Sequence, residues 1–141
     1  MANQDGGTGL SAAEKAALRE RTKELRAQKK GQAAEEEVLA RIGEMSGADK
    51  KIAQAVHRIV KEVAPDLQPR TWYGMPAYAR DGKVVVFFQA ASKFDTRYAT
   101  LGFNDTANLD DGEMWPTTFA ITKVTPAVEK KITQLVKKAV K

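Results

Sequence analysis

Between Ile52 and Val63 apolar side chains recur at i, i+4, i+7, i+8 and i+11, through Val56, Ile59 and Val60. That spacing predicts an amphipathic helix, opened by Ser46-Gly-Ala-Asp49 and stopped by Pro65. A similar stripe of Val128, Ile132, Leu135, Val136 and Ala139 predicts a closing helix, entered at Thr125-Pro126 with Thr as N-cap and Pro in the first turn. Near the other end, Ser11-Ala-Ala-Glu14 reads as a capping box, and good helix formers follow to Lys30, where Gly31 punctuates. A further helix is expected from Ala33 to Met45, with Val38, Leu39, Ile42 and Met45 on one face. Glu35, Glu36 and Glu37 then fall in its first turns, where negative charge suits the helix dipole.

From Thr71 the period changes to that of extended chain. Trp72 to Ala79 reads as a strand, Asp81-Gly82 as a hairpin turn, and Lys83 to Ala90 as the returning strand. Val84 to Phe88 is apolar at every position, which predicts a central strand in a sheet covered on both sides. Pro76 cannot donate to a ladder, so its strand is expected at an edge or at a bulge. Arg97–Phe103 and Phe119–Val124 complete about four strands, separated by the acidic loop from Asn104 to Glu113. The expected fold class is α+β: a small, mostly antiparallel sheet covered by helices. Its parts are a flexible tail (1–10), a basic helical extension (11–30) and a single α+β domain (33–141).

Length and composition are those of one globular domain. The longest apolar run, Val84 to Phe88, is far too short for a membrane span, and the first residues carry no secretion signal. With no cysteine in the chain, disulfides and thiolate chemistry fall away together, and the expected address is cytoplasmic. Charge is unevenly placed. Residues 15–30 hold seven basic and two acidic side chains, and residues 123–141 hold six and one, whereas the centre is slightly acidic. Such a layout suits an anionic partner.

The most distinctive stretch is Arg70-Thr-Trp-Tyr-Gly-Met-Pro-Ala-Tyr78. In one extended strand Trp72, Gly74, Pro76 and Tyr78 share a face, forming a notch able to hold a ligand or to receive a helix; Trp72, Tyr73, Met75 and Tyr78 are its candidate lining. This segment, with Asp81-Gly-Lys-Val-Val-Val-Phe-Phe88, Lys93-Phe94 and Tyr98-Ala-Thr-Leu-Gly-Phe103, resembles the YdhG-like domains of unknown function over about residues 46–140. Some members of that family are described as frataxin-like iron chaperones, so the resemblance implies iron as a partner. Many members carry a histidine shortly after the lysine matching Lys93; Phe94, Asp95 and Thr96 stand there in this chain.

The residues themselves offer little catalytic chemistry. His57 is the only histidine and falls just off the apolar stripe of its helix, as a surface or boundary residue. Ser11, Ser46 and Ser92 have no base placed by sequence, and Gly6-Gly-Thr-Gly9 lacks the Gly-Lys-Ser/Thr of a phosphate loop. No enzyme activity and no cofactor are expected. The acidic loop supplies Asp105, Asp110, Asp111 and Glu113 as oxygen ligands for a hard cation, although their spacing departs from the calcium-loop pattern.

Helical geometry gives the basic segment its meaning. At about 100° per residue, Lys15, Arg19, Lys23, Arg26 and Lys30 all fall within about 60–140° of Leu18, one cationic stripe over roughly four turns. Lys15 with Arg19, Arg19 with Lys23 and Arg26 with Lys30 are like-charged i, i+4 pairs, each costing a few tenths of a kcal/mol (~0.2–0.5). A polyanion lying along the stripe would relieve that repulsion. Lys130, Lys137 and Lys141 lie opposite the apolar stripe of the last helix, at about 180–220° from Val128, and form a second cationic face. Phosphate contacts with few side chains suited to base edges point to structured RNA or the ribosome as partner.

Overall fold

The computed structural model describes residues 11–141; the tail expected at 1–10 lies outside the described residues. The elements run α1 (Ala12–Glu44), α2 (Gly47–Val63), β1 (Gln68–Trp72), β2 (Met75–Arg80), β3 (Lys83–Gln89), β4 (Ala99–Phe103), β5 (Thr118–Ile121) and α3 (Pro126–Ala139). The fold is α+β, with one antiparallel sheet in the order β1-β2-β3-β4-β5. The chain divides into two units, Met1–Ala33 and Ala34–Lys141. Among the described residues no helix is long and apolar enough to cross a membrane.

Several expectations need correction. The helices expected on either side of Gly31 are one helix, α1. A lone glycine costs about 1 kcal/mol relative to alanine in a helix, and the good helix formers around it outweigh that. Gly31 is not among the glycines with positive φ. Glu35, Glu36 and Glu37 therefore sit mid-helix, away from any N-terminal dipole. Of the four apolar residues expected on one face there, Val38 and Ile42 are buried and Met45 is partly so, but Leu39 points outward at 48% exposure. The capping box forms as expected: the Ser11 N–H donates to Glu14 Oε1 at 3.2 Å, and the Glu14 N–H donates to Ser11 Oγ at 3.1 Å.

The strand expected from Trp72 to Ala79 is two strands. Tyr73 and Gly74 have φ of 51° and 75°, the left-handed pair of a tight two-residue hairpin turn, and Trp72 pairs with Met75 across it. The sheet accordingly has five strands, and β2 is internal. Pro76 is tolerated there because β2 pairs with β3 only from Ala77 onward, so no ladder bond is asked of its nitrogen. Asp81-Gly82, with φ of 52° and 78°, makes the expected turn between β2 and β3.

Register explains the unbroken apolar run of β3. Tyr78 pairs with Val86 but Ala79 with Val84, so Val85 is a bulge residue, and Val85 and Val86 both join the core. β3 is the central strand, as expected; the bulge adds Val85 to the core-facing Val86 and Phe88, while Val84, only 8% exposed, and partly buried Phe87 belong to the opposite face. Tyr78, Val86, Phe88, Leu101, Phe103 and Ile121 form one buried cluster with residues from the second half of α1, from α2 and from α3. Phe87 and Trp72 belong to the opposite face and are only partly buried. In α3, Ile132, Val136 and Ala139 are buried, and Thr125 caps the helix by accepting from the Val128 N–H at 3.1 Å.

Candidate nucleic-acid interface

Within 11–33 every residue is exposed, including Leu18 at 53% and Leu25 at 42%. Lys15, Arg19, Lys23, Arg26 and Lys30 all lie on the single helix α1, so the spacing that aligned them in sequence aligns them in space. Among the described residues, the one ion pair in this segment is Arg21 with Glu24 at 3.9 Å; none of the five stripe cations takes part in one. Neighbouring carboxylates thus leave the stripe's charge uncancelled. Lys130, Lys137 and Lys141 are likewise exposed and outside any ion pair among the described residues.

The aromatic notch does not form. The Tyr73-Gly74 turn places Trp72 on β1 and Tyr78 on β2, and register sends them to opposite faces of the sheet. Tyr78 is fully buried, Met75 is nearly so, and Tyr73 projects from the turn at 79% exposure. The hollow nearest the motif, about 230 Å³, is lined by Arg41, Gly74, Ser92 and Lys93 among others, and by none of the four expected residues.

Sequence reasoning missed a polar chain inside Ala34–Lys141. His57 is a boundary residue, one of the two expected places, but not a free one: its side chain is 12% exposed and both ring nitrogens are engaged. Nε2 lies 3.0 Å from Glu35 Oε2, and Nδ1 lies 3.0 Å from the Tyr78 hydroxyl. A carboxylate only accepts, so Nε2 carries the donor hydrogen; in the neutral ring Nδ1 then accepts from the Tyr78 O–H. Lys61 Nζ donates to the other Glu35 oxygen at 2.9 Å. The Lys61 hydrogen bond, helped by that from His57, outweighs desolvation and holds the Glu35 carboxyl below its usual range. Burial, with the Glu35 charge adding to it, pushes the Tyr78 phenol well above its ordinary value. Glu37 accepts from Thr71 Oγ1 at 2.7 Å. Two of the three glutamates thus tie α1 to α2 and the sheet.

Asp49 plays a comparable part below the β3–β4 loop. It is 8% exposed and accepts from the Ala91 N–H at 3.0 Å, the Ser92 N–H at 3.1 Å and Ser92 Oγ at 2.8 Å. Burial works to raise this carboxyl, yet the hydrogen bonds from Ser92 and Ala91 hold it below the usual range. The Ser46–Asp49 start signal therefore stands, but Ser46 makes no side-chain cap and Asp49 serves a distant loop.

Asp105, Asp110, Asp111 and Glu113 are exposed, on a loop pinned from beneath by buried Ala107 and Leu109 and by the Asn108 N–H donating to the Ala139 carbonyl at 2.9 Å. Among the described residues no three histidine or carboxylate side chains gather as a metal-binding group, and these four are not brought together as ligands. No family model, curated protein or solved structure matches the chain.

Proposed function

We propose that this protein binds structured RNA, free or within a ribonucleoprotein such as the ribosome, through the cationic stripe of α1. The observation that carries the reading is that Lys15, Arg19, Lys23, Arg26 and Lys30 are aligned on one exposed helix, while none is neutralised by a carboxylate among the described residues. Such a helix bears the repulsion of its own like-charged i, i+4 pairs and gains from a phosphate backbone laid against it. Recognition of this kind follows the spacing of phosphates and the shape of the RNA rather than base edges. Lys130, Lys137 and Lys141 add a second set of exposed cations on α3 that suits the same partner.

The resemblance to the YdhG-like domains rests on the motif residues alone, and among the described residues no carboxylates gather for the iron it implies. The RNA reading is tested by changing Arg19, Lys23, Arg26 and Lys30 together to Glu, then measuring co-sedimentation with ribosomes and with a structured RNA. The expected result is loss of binding with an unchanged circular dichroism spectrum. In the unaltered protein, five displaced counterions give log K against log salt a slope of magnitude about four. Binding that survives the four substitutions at low salt refutes the proposal.

A further inference from the structure

We propose that the open face of the sheet, around Trp72, Phe87 and Arg70, is a binding site for unpaired RNA bases. The site lies wholly within Ala34–Lys141 and does not depend on the stripe of α1. Alternation along each strand sends one set of side chains into the core, where the helices of that unit also converge. The other set includes Arg70 and Trp72 from β1, Phe87 and Gln89 from β3, Thr100 from β4 and Thr118 from β5. Met75, Ala77 and Ala79 from β2 and Val84 from β3 share this face but are buried. A solvated sheet face carries polar residues as a rule; this one carries two adjoining aromatic rings. Trp72 and Phe87 have centroids 5.2 Å apart at 57°, and Tyr73, on the turn, lies 5.0 Å from Trp72.

Glycine at the position paired with Phe87 shapes the surface. A Cβ on Gly102 would collide with the far end of the Phe87 ring, so the ring leans along the sheet towards β4 instead of standing upright. A leaning ring offers a face, and a face is what a nucleobase stacks on. The strand residues on this side include no carboxylate. Arg70 is exposed and, among the described residues, outside any ion pair, while Gln89, Thr100 and Thr118 supply neutral donors and acceptors. Cation, neutral polar groups and rings together suit a phosphate, base edges and base faces. A protein partner would need a broader exposed apolar centre than these two rings, because Met75, Ala77, Ala79 and Val84 on the same face are already no more than 8% exposed. A duplex hides its base faces, so the ligand is single-stranded.

Trp72 and Trp115 are the two tryptophans of the chain, so Trp115→Phe in the full-length protein leaves Trp72 as sole reporter on an undisturbed face. Titration with an oligouridylate of eight nucleotides is expected to quench its emission saturably, with no quenching by double-stranded RNA of equal length. Phe87→Leu is expected to weaken the single-strand affinity by about tenfold or more. Adding the Arg19, Lys23, Arg26 and Lys30 to Glu changes separates the two surfaces. Quenching that persists there upholds the sheet site even if ribosome binding is lost; quenching that disappears overturns it as an independent site. Trp72 emission that stays constant while polarisation of a labelled oligouridylate reports binding also overturns it, leaving the α1 reading intact. No quenching up to millimolar oligonucleotide overturns it in favour of a protein occupant.

Discussion

Removing one oxygen atom tests the buried chain of Tyr78, His57 and Glu35. Tyr78→Phe keeps the fully buried ring and its packing and deletes only the hydroxyl 3.0 Å from His57 Nδ1. With its side chain 12% exposed, His57 has little access to a replacement water. Loss of the bond and the orphaned acceptor together cost about 1–2 kcal/mol. His57→Leu leaves the Tyr78 hydroxyl without a partner in the core and costs about 1–3 kcal/mol by the same reasoning. The double variant leaves neither group stranded, so its loss falls short of the sum of the singles, by about 1 kcal/mol or more. Urea unfolding at neutral pH, followed by tryptophan fluorescence, measures all three; thermal melts should shift by roughly 4 °C per kcal/mol for a body of this size. A Tyr78→Phe variant as stable as the parent, or losses that simply add, would refute the claim that this bond holds α2 to the sheet.

Acidic pH should weaken the fold through Glu35 and Asp49. Both carboxyls are held low in the folded state, so the stability they contribute is complete above their ordinary values and is lost as pH falls through the lower folded ones. Glu35→Gln is therefore expected to flatten the loss of stability on acidification below about pH 4.5, read from urea midpoints across a pH series; an unchanged pH profile counts against it. Asp49→Ala should destabilise by about 1.5–3 kcal/mol and speed hydrogen exchange at the Ala91 and Ser92 amides, and full protection there would show that the loop has another anchor.

The elements with strong period or strong punctuation were legible from the chain alone. α2 and α3 follow from their stripes, the Asp81-Gly82 hairpin from its dipeptide, and the Ser11 capping box from its spacing. Where the reading failed, a local signal was ambiguous and tertiary structure decided it. Gly31 carries the same letter as a helix stop yet costs too little to act as one. Tyr73-Gly74 is a turn whose first residue is aromatic, and nothing in its composition separates it from extended chain. The bulge at Val85 set one extra apolar residue into β3, whose other apolar positions divide between the core and the opposite face. The cationic stripe was visible because it is a property of one helix. The Glu35–His57–Tyr78 chain was not, because it joins three elements more than twenty residues apart. The single clue was a lone histidine beside an apolar stripe, and such a residue reads as boundary until its partners are known.

Every strand of the sheet bonds to the one before and the one after it in the chain, with no crossover anywhere along β1 to β5. β1–β2 and β2–β3 close through two-residue turns, so little chain entropy is lost there, whereas β3–β4 and β4–β5 are joined by the longer segments 90–98 and 104–117. Assembly can thus proceed as a zipper from the two tight turns outward, with α3 docking on a sheet already made. β1 in particular stays tethered to β2 by two residues, so a partner that pulled this edge strand away would leave it beside the neighbour it came from.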